Sequence, residues 1–364
     1  MTPRATSVVR VDRTSPEPAA IEAAARHLAA GRLVVFPTET VYGLGAHALD
    51  PAAVGAIFEA KGRPFTDPLI VHVASAASLT DVAGAVPPVA AALAARFWPG
   101  PLTLLLPRHH AVPGLVTAGR DTVAVRVPAH PVARALLRTA GLPVAAPSAN
   151  RFSRPSPTTA AHVLADLDGR VDLVLDAGPT DIGVESTIVD CTVVPPVVRR
   201  AGGIPIEELR AVAPDVVSAD VVASVQDAQA APGQLLRHYA PQARVTVYEG
   251  TPEATAGRVA REARRLLGTG VVVGVLAPDE SLLRLAPELA GGAASGRIVS
   301  SSLGSRSSPE QAARVLFARL RELDAAGVDV ILAVAPDRGG LGAAVWDRLR
   351  RAAEGRVVRI GHPA

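Results

Sequence analysis

Between residue 20 and about residue 210, short apolar runs of β type alternate with stretches of helical period. Ile21–Ala30 repeats its apolar positions every three to four residues and ends at Gly31, which predicts a helix. Leu33–Phe36 is continuously apolar and stops at Pro37, the pattern of a buried strand. Asp50 is a good N-cap, and Pro51 suits a first helical position, so Pro51–Ala60 reads as a helix. Leu69–Val73, Leu102–Leu106, Val123–Val127, Val144–Ala146, Val171–Leu175 and Thr187–Val189 are further strands, and Pro131–Thr139 and Thr158–Leu167 are helices. Several of these strands follow one another with no helix between them, which predicts a mixed sheet.

Residues 211–240 break the rhythm. They are rich in Ala, Val, Asp and Ser without a clear period and close on Ala231-Pro232-Gly233-Gln234, as a long linker would. A cleaner alternation follows. Strands at Arg244–Tyr248, Val271–Leu276, Arg297–Val299 and Val328–Val334 are separated by helices near 253–267, 279–289 and 309–325, and a helix over 342–353 precedes a strand over 357–360. Strictly alternating β and α elements predict a small parallel α/β domain. The expected organisation is therefore a catalytic domain over 1–210, a linker over 211–240 and a second α/β domain over 241–364.

Composition narrows the class. A chain of 364 residues has room for two cores, and 49% hydrophobic against 20% charged residues fits a globular protein. No apolar run approaches the roughly 20 residues of a membrane span, and the N-terminus lacks the apolar stretch of a signal peptide, so a soluble cytoplasmic protein is expected. With one cysteine, Cys191, an internal disulfide and a cysteine zinc cage are both ruled out. The net charge of +3 leaves room for an anionic ligand or an RNA contact.

Among the basic residues one stands apart. The chain has a single lysine, Lys61, against thirty-six arginines. Lysine offers a compact, rotatable ammonium where Arg offers a rigid fork, so a site that needs a point charge against a phosphate oxygen refuses the exchange. Chance survival of one lysine is the plain alternative, but Lys61-Gly62-Arg63-Pro64 puts a second cation two residues on and then a proline. At a helix end, position 61 leaves room for a longer cation, so loss of activity on replacement by Arg would be functional.

Other unusual residues gather just past strand ends, where α/β domains bind ligands. Phe36-Pro37-Thr38-Glu39-Thr40-Val41-Tyr42-Gly43-Leu44-Gly45 reads as a loop holding two hydroxyls, a carboxylate and a phenol, and an ordinary turn is its bland reading. Pro147-Ser148-Ala149-Asn150, followed by Arg151, Arg154 and Ser156, places small donors beside cations, as a polyphosphate requires; a Ser/Pro-rich loop is the alternative. Gly183-Val184-Glu185-Ser186-Thr187 and Arg199-Arg200 add similar groups, whereas His72, inside a strand, reads more simply as a structural histidine. The phosphate-loop, zinc-protease and esterase motifs are absent. Gly340-Leu341-Gly342 weakly echoes a dinucleotide fingerprint but lies at the last crossover, and it reads as a tight turn.

Taken in order, F-P-T-E-T-V-Y-G-L-G, K-G-R-P, P-L-I-V-H-V, W-P-G-P-L-T, D-T-V-A-V-R-V-P, A-P-S-A-N, S-R-P-S-P-T and G-V-E-S-T-I-V-D resemble the Sua5/YrdC family of threonylcarbamoyl-AMP synthases over residues 20–210. P-G-Q-L-L-R-H-Y-A-P and the added domain resemble its longer, two-domain Sua5 type. The resemblance implies a YrdC-like mixed twisted sheet followed by a smaller, Rossmann-like parallel α/β domain. It implies an enzyme that takes L-threonine, bicarbonate or CO2, and ATP with Mg2+, and yields threonylcarbamoyl-AMP and pyrophosphate. The threonine amine captures CO2 as a carbamate, whose oxygen attacks the α-phosphorus of ATP, so no protein nucleophile is needed. The product serves the N6-threonylcarbamoyl modification of adenosine 37 in tRNAs that read ANN codons, by way of other tRNA-modification enzymes.

By motif, the resemblance places L-threonine against Thr40, His72, Arg126, Ala146 (through its backbone) and Ser186, with Arg126 gripping the carboxylate bidentately. It places ATP among Lys61, Arg63, Asp67, Thr122, Ser148, Asn150, Ser156, Arg200 and Tyr239, with Lys61 and Arg63 catalytic and no metal ligand assigned to a side chain. Asp67 stands where the family often has Asn, which sets a carboxylate near phosphate, and Gln234 stands where the linker usually has Met. The linker, with Arg237-His238-Tyr239, is expected to close as a lid. A double-stranded RNA-binding module and a carbamoyl-adenylate-forming enzyme are the alternatives.

Overall fold

The computed structural model describes residues 5–219 and 238–361. The chain divides into two compact units, one made of Met1–Phe152 with Ser156–Gln234 and the other of Leu235–Ala364 with Ser153–Pro155.

In the first unit the strands in chain order are β1 (Ser7–Arg10), β2 (Val34–Pro37), β3 (Tyr42–His47), β4 (Ile70–His72), β5 (Leu102–Pro107), β6 (Thr122–Arg126), β7 (Val144–Ala145), β8 (Leu173–Asp176), β9 (Thr187–Asp190), β10 (Val197–Arg200) and β11 (Val217–Ser218). They form one mixed sheet in the order β1-β8-β2-β3-β7-β4-β6-β5-β9-β10-β11. The mixed character expected from consecutive strands is present. β2–β3, β3–β7, β4–β7, β5–β6 and β9–β10 pair antiparallel, whereas β4–β6 and β5–β9 are parallel.

The two faces differ. One is a continuous apolar core in which Val71, Leu102, Leu104, Val123 and Val125 meet Val54, Ile57 and Phe58 of the helix Pro51–Lys61 and Leu93 of Pro88–Phe97. On the other face, the helices Pro18–Ala29 and Pro131–Ala140 cover Val34, Phe36, Val144 and Leu173. Beyond them the apolar floor shrinks to Ile70, Leu105, Ala124 and Ile188, a cluster with no helical member. Polar side chains stand on that stretch, because strand periodicity sends His72, Arg126 and Thr103 to the same side as Ile70, Ala124 and Leu105.

The expected loop from Phe36 to Gly45 is shorter than the sequence reading gives. Only Thr38–Val41 turns, and Tyr42–His47 is β3, paired with β2 through Val34↔Gly45 and Phe36↔Gly43. At position 45 glycine is required for a steric reason. A Cβ on Gly45 would stand 2.8 Å from the Phe36 ring and 2.9 Å from a Val144 methyl. The strands Ser7–Arg10 and Val197–Arg200 and the helices Pro88–Phe97 and Ile206–Arg210 were not anticipated. Val217–Ser218, within the segment read as linker, pairs parallel with β10. The rest of that segment, including Pro232, Gly233, Gln234 and Arg237 of the expected lid, lies outside the described residues.

The second unit follows the pattern closely. Strands β12 (Arg244–Glu249), β13 (Val273–Ala277), β14 (Ile298–Ser302), β15 (Val330–Val334) and β16 (Val357–Arg359) form an all-parallel sheet in the order β14-β13-β15-β12-β16. The helices Pro252–Leu267 and Asp279–Ala294 cover one face, through Val259, Ala263, Leu285 and Leu289 against Val273, Val275 and Leu332. The chain then reverses direction across the sheet, and right-handed crossovers send Pro309–Ala325 and Gly342–Ala352 to the opposite face.

Candidate active site

Strand pairing builds the first half of the site. His72 is the register partner of Arg126 across β4 and β6, and Arg126 that of Thr103 across β6 and β5, so the three stand in one row. Arg126 is buried, and its guanidinium is held on several sides. Its Nε donates to the Gly100 carbonyl at 3.2 Å, its Nη1 to Thr40 Oγ1 at 3.0 Å, and its Nη2 lies 2.6 Å from Glu39 Oε1. The row continues through hydroxyls: Thr103 Oγ1 and Ser186 Oγ are 2.7 Å apart, and Arg200 Nη2 donates to Ser186 Oγ at 3.2 Å and to its carbonyl at 2.9 Å. Thr40, His72, Arg126, Ser186 and Arg200 are thus one connected group. Ala146 borders it, its N–H donating to the Ile70 carbonyl at 2.9 Å, so any ligand contact from its backbone falls to its carbonyl.

Burial sets the protonation of His72. Desolvation first, and the Arg126 cation second, lower its pKa to about 3, so the imidazole is neutral near pH 7. Its Nδ1 is buried with no hydrogen-bond partner among the described residues. Glu39 Oε2 is in the same condition, a carboxylate oxygen facing the site without a hydrogen bond. Together they leave an acceptor oxygen and a ring nitrogen on this face able to meet a polar ligand.

The turn that presents Glu39 and Thr40 is fixed by its own hydroxyls. Thr38 Oγ1 donates to the Val41 carbonyl at 2.6 Å and lies 2.8 Å from Thr40 Oγ1. The carbonyls of Glu39 and Thr40 accept from the N–H groups of Ile182 and Gly183, tying this turn to the loop that carries Glu185 and Ser186. That loop needs Gly202 beside it, since a Cβ there would lie 2.3 Å from the Glu185 carbonyl oxygen.

Lys61 organises the second half. It ends the helix Pro51–Lys61, where Gly62 takes the left-handed conformation at φ 64° and turns the chain away. Its ammonium is buried and donates to the carbonyls of Ser148 and Asn150, both at 2.6 Å. β3 sews the same loop in place, with Leu44 N–H on the Pro147 carbonyl and Ala149 N–H on the Tyr42 carbonyl. The steric expectation for position 61 is therefore corrected: at 1% exposure a longer cation has no open space to enter.

Arg63 and Asp67 explain each other. Arg63 Nη2 lies 2.9 Å from Asp67 Oδ2, while Nε and Nη2 donate to the carbonyls of Asp67 and Pro68 at 3.1 and 2.7 Å. The carboxylate that replaces the usual amide is thereby neutralised inside its own turn. Asn150 Nδ2 donates to the Arg151 carbonyl at 2.7 Å, and Ser156 Oγ donates to Glu185 Oε1. Thr122 begins β6, on the same face as Arg126 but four residues away, about 13 Å at strand rise. Tyr239 belongs to the second unit, where it is buried with its ring 5.4 Å from that of Phe317 and 5.0 Å from the Arg348 guanidinium.

The sequence reading left out Thr38, Glu39, Thr103 and Glu185. A signal existed for Thr103, a polar residue at an inward position of an otherwise apolar strand, and for Glu39 and Glu185, which lie inside the quoted motifs. Cys191 and Tyr42 are structural. Burial pushes the Cys191 thiol up to about 12, and the Tyr42 hydroxyl donates to the Gly178 carbonyl at 2.7 Å.

Comparison with known proteins agrees with this geometry. The family described as "Telomere recombination" matches residues 26–202, and that described as "Threonylcarbamoyl-AMP synthase, C-terminal domain" matches residues 204–354. A threonylcarbamoyl-AMP synthase of Pyrococcus abyssi is 44% identical over 345 residues, covering 93% of this chain and 96% of that protein. The Bacillus subtilis enzyme of the same name is 44% identical over 349 residues, covering 96% and 97%. A solved structure of P. abyssi Sua5 complexed with L-threonine superposes with a TM-score of 0.86 at 42% identity, covering 98% of this chain and 99% of that one. The chain belongs to the Sua5/YrdC family. Within it the chain is of the two-domain Sua5 type, and its activity is that of a threonylcarbamoyl-AMP synthase, a nucleotidyl transfer in the tRNA threonylcarbamoyladenosine pathway.

Proposed function

We propose that Arg126 and Glu39 receive the two ends of the L-threonine zwitterion, and that the Lys61 side of the site receives the ATP phosphates. The carrying observation is the buried Arg126–Glu39 pair at 2.6 Å with Glu39 Oε2 left without a hydrogen bond. A cation and a carboxylate side by side complement an amino acid's carboxylate and ammonium. The remaining Arg126 contacts, to Thr40 and Gly100, hold its fork in place, so a bidentate grip on the substrate carboxylate requires Glu39 to turn toward the ammonium. Ser186, His72 and the Ala146 carbonyl complete the threonine wall. The structure of the P. abyssi relative with L-threonine supports this reading.

Of the two protons released as the ammonium and CO2 become a carbamate, one is taken up when bicarbonate dehydrates to CO2 and water, and Glu39 accepts the other and relays it to solvent. A carbamate oxygen then attacks the α-phosphorus, forming the P–O bond of the adenylate as pyrophosphate leaves with the electron pair of the broken P–O bond. The protein contributes position and charge, as in phosphoryl transfer generally. Lys61, Arg63, Ser148, Asn150, Ser156 and Arg200 supply donors for the triphosphate, and Asp67, Thr122 and Tyr239 remain candidates on the family pattern. Magnesium enters as the MgATP substrate. Among the described residues no group of three acidic or histidine side chains forms a cage for it, and Asp67 is held by Arg63.

Among the described residues no helix is long and apolar enough to cross a membrane, and a cytoplasmic enzyme that hands its adenylate to tRNA-modifying partners fits the pathway. Bicarbonate-dependent ATP–pyrophosphate exchange that requires threonine tests the reading, and exchange without threonine would sink it. Glu39→Gln and Arg126→Gln should each raise the KM for threonine and leave the KM for ATP nearly unchanged. Serine, one methyl smaller, should lose roughly 10-fold or more in kcat/KM.

A further inference from the structure

The second unit holds a crevice that the threonine site does not use. It lies past the carboxyl ends of β12, β15 and β16, with a volume of roughly 1020 Å³. The crossover after β12 runs toward β13, and the one after β15 runs the other way to β16. Their helices leave on opposite faces, so the strand ends between them stay uncovered, and open parallel sheets bind ligands at such a switch point.

The crevice is lined by three guanidinium groups, Arg306, Arg338 and Arg359, and two carboxylates, Glu249 and Asp337. Arg306 Nη2 pairs with Asp337 at 2.9 Å, while Arg338 and Arg359 share Glu249, the second at 3.4 Å. Among these five lining groups one positive charge is left over, and Glu280, which accepts from the Arg306 N–H at 2.9 Å outside the lining, offsets part of it. Arg338 and Arg359 are 49% and 66% exposed, so their pairs are weak and their forks can turn to another anion. Arg306 Nη1 is buried with no hydrogen-bond partner among the described residues.

The start of the helix Pro252–Leu267 adds little to this. Pro252 has no N–H, and Thr251 Oγ1 already accepts from Ala254 N at 3.3 Å. Gly342 instead fixes one wall: a Cβ there would lie 1.8 Å from the Asp337 carbonyl oxygen, so the loop bearing Asp337 and Arg338 folds tightly onto the next helix. The Arg338 guanidinium stacks 3.8 Å over the Trp346 ring. The weak glycine motif of the sequence thus shapes the wall.

We propose that this crevice binds a small phosphate-bearing anion through Arg306, Arg338 and Arg359. Guanidinium forks match phosphate geometry, and a dianion is attracted to surplus positive charge. The proposal is independent of the threonine site.

Fluorescence of the full-length protein tests it, because Trp346 lies under Arg338. Inorganic phosphate and AMP are titrated separately at constant ionic strength, with chloride as control. A saturable change that disappears in Trp346→Phe, where Trp98 remains, is expected. In Arg306→Gln/Arg359→Gln it should weaken at least tenfold, while threonine-dependent pyrophosphate release stays within about twofold. Loss of these arginines leaves Asp337 69% exposed and Glu249 still paired with Arg338, so the double variant should fold, and its thermal melt checks that. AMP binding tenfold tighter than phosphate assigns a nucleotide, and equal affinities assign the phosphate group alone. No saturation up to about 10 mM, where a millimolar Kd is readily seen, overturns the proposal. An unaltered response in the folded double-arginine variant, or the same response to chloride, does so as well.

Discussion

Two arginine–carboxylate pairs, one in each unit, have the same chemistry in opposite settings. Arg126 and Glu39 are 4% and 9% exposed and stand on a sheet face between apolar strands. Arg338 and Glu249 are 49% and 15% exposed at the open ends of a parallel sheet. Burying the first pair incurs a desolvation penalty that Coulomb attraction does not fully offset. A fold gains little from such a pair as a stabiliser; its value lies in holding charge ready in a dry place, where transition-state charge is felt most strongly. In the second pair the arginine is half exposed and can be reshuffled, although Glu249 Oε2 is itself buried without a hydrogen bond among the described residues.

The contrast breaks most visibly at Arg126. Arg126→Leu strands Glu39 as an uncompensated buried carboxylate and should cost about 3–5 kcal/mol, read from urea unfolding. Combining it with Glu39→Leu should restore much of that loss, because the stranded charge is gone. A cost below about 1 kcal/mol for the single variant would mean that water reaches this face and the pair is not dry.

Lys61→Arg ranks next. The ammonium fits between two carbonyl oxygens, and a planar guanidinium must push the Ser148–Asn150 loop away. Overpacking of this kind costs about 1–3 kcal/mol, with adenylate formation falling at least a hundredfold as the loop shifts. Thermal unfolding together with threonine-dependent pyrophosphate release measures both. Stability unchanged with activity within twofold of wild type would leave the lone lysine as an accident of composition.

His72 gives a smaller, pH-dependent effect. Its folded pKa is depressed to about 3 from the ordinary 6.5 of a histidine, so the unfolded chain binds the proton first as pH falls. The contribution of the neutral imidazole is complete above about pH 6.5 and is lost as pH drops toward 3. Between pH 6.5 and 5 the loss should be roughly 1–2 kcal/mol. His72→Asn should flatten the stability profile across that window, and parallel slopes for the two proteins would show that other groups dominate it.

How much of this was legible beforehand differs between the units for a physical reason. In the second, each strand is a plain apolar run and each crossover an amphipathic helix, so period alone places β12 through β16 within a few residues. In the first, Gly43 and Gly45 read as loop, and the factor that requires glycine at position 45 of β3 is the Phe36 ring across the sheet, which no local pattern reveals. Likewise β11 is an edge strand of two residues and β10, beside it, has only four, so their short runs carry little periodicity. At the site, cations and hydroxyls were legible from motif chemistry. The Glu39 carboxylate was visible in its motif but its partner was not, since its role depends on Arg126, 87 residues later in the chain, being brought within 2.6 Å by the fold. The departure at Asp67 had a local answer in Arg63, four residues earlier, which becomes visible only when the turn is folded.

Arg338→Leu should have the smallest effect on stability. Glu249 keeps Arg359 at 3.4 Å, so its carboxylate is not left without a cation. What disappears is one half-exposed ion pair and the stacking of Arg338 on Trp346 at 3.8 Å. Exposed pairs contribute about 0–1 kcal/mol, and exposed cation–π contacts about 0.5–1 kcal/mol, while leucine keeps some packing on the indole. The net cost should stay near or below about 1 kcal/mol in urea unfolding, several-fold less than Arg126→Leu under the same conditions. High salt should shrink it further, because screening acts on exposed pairs and hardly reaches the buried one. A loss of about 3 kcal/mol, insensitive to salt, would show that Glu249 is as dry as Glu39. The strand-end crevice would then be a preformed, desolvated site like the threonine site, with its guanidinium groups locked and unable to turn toward an incoming anion.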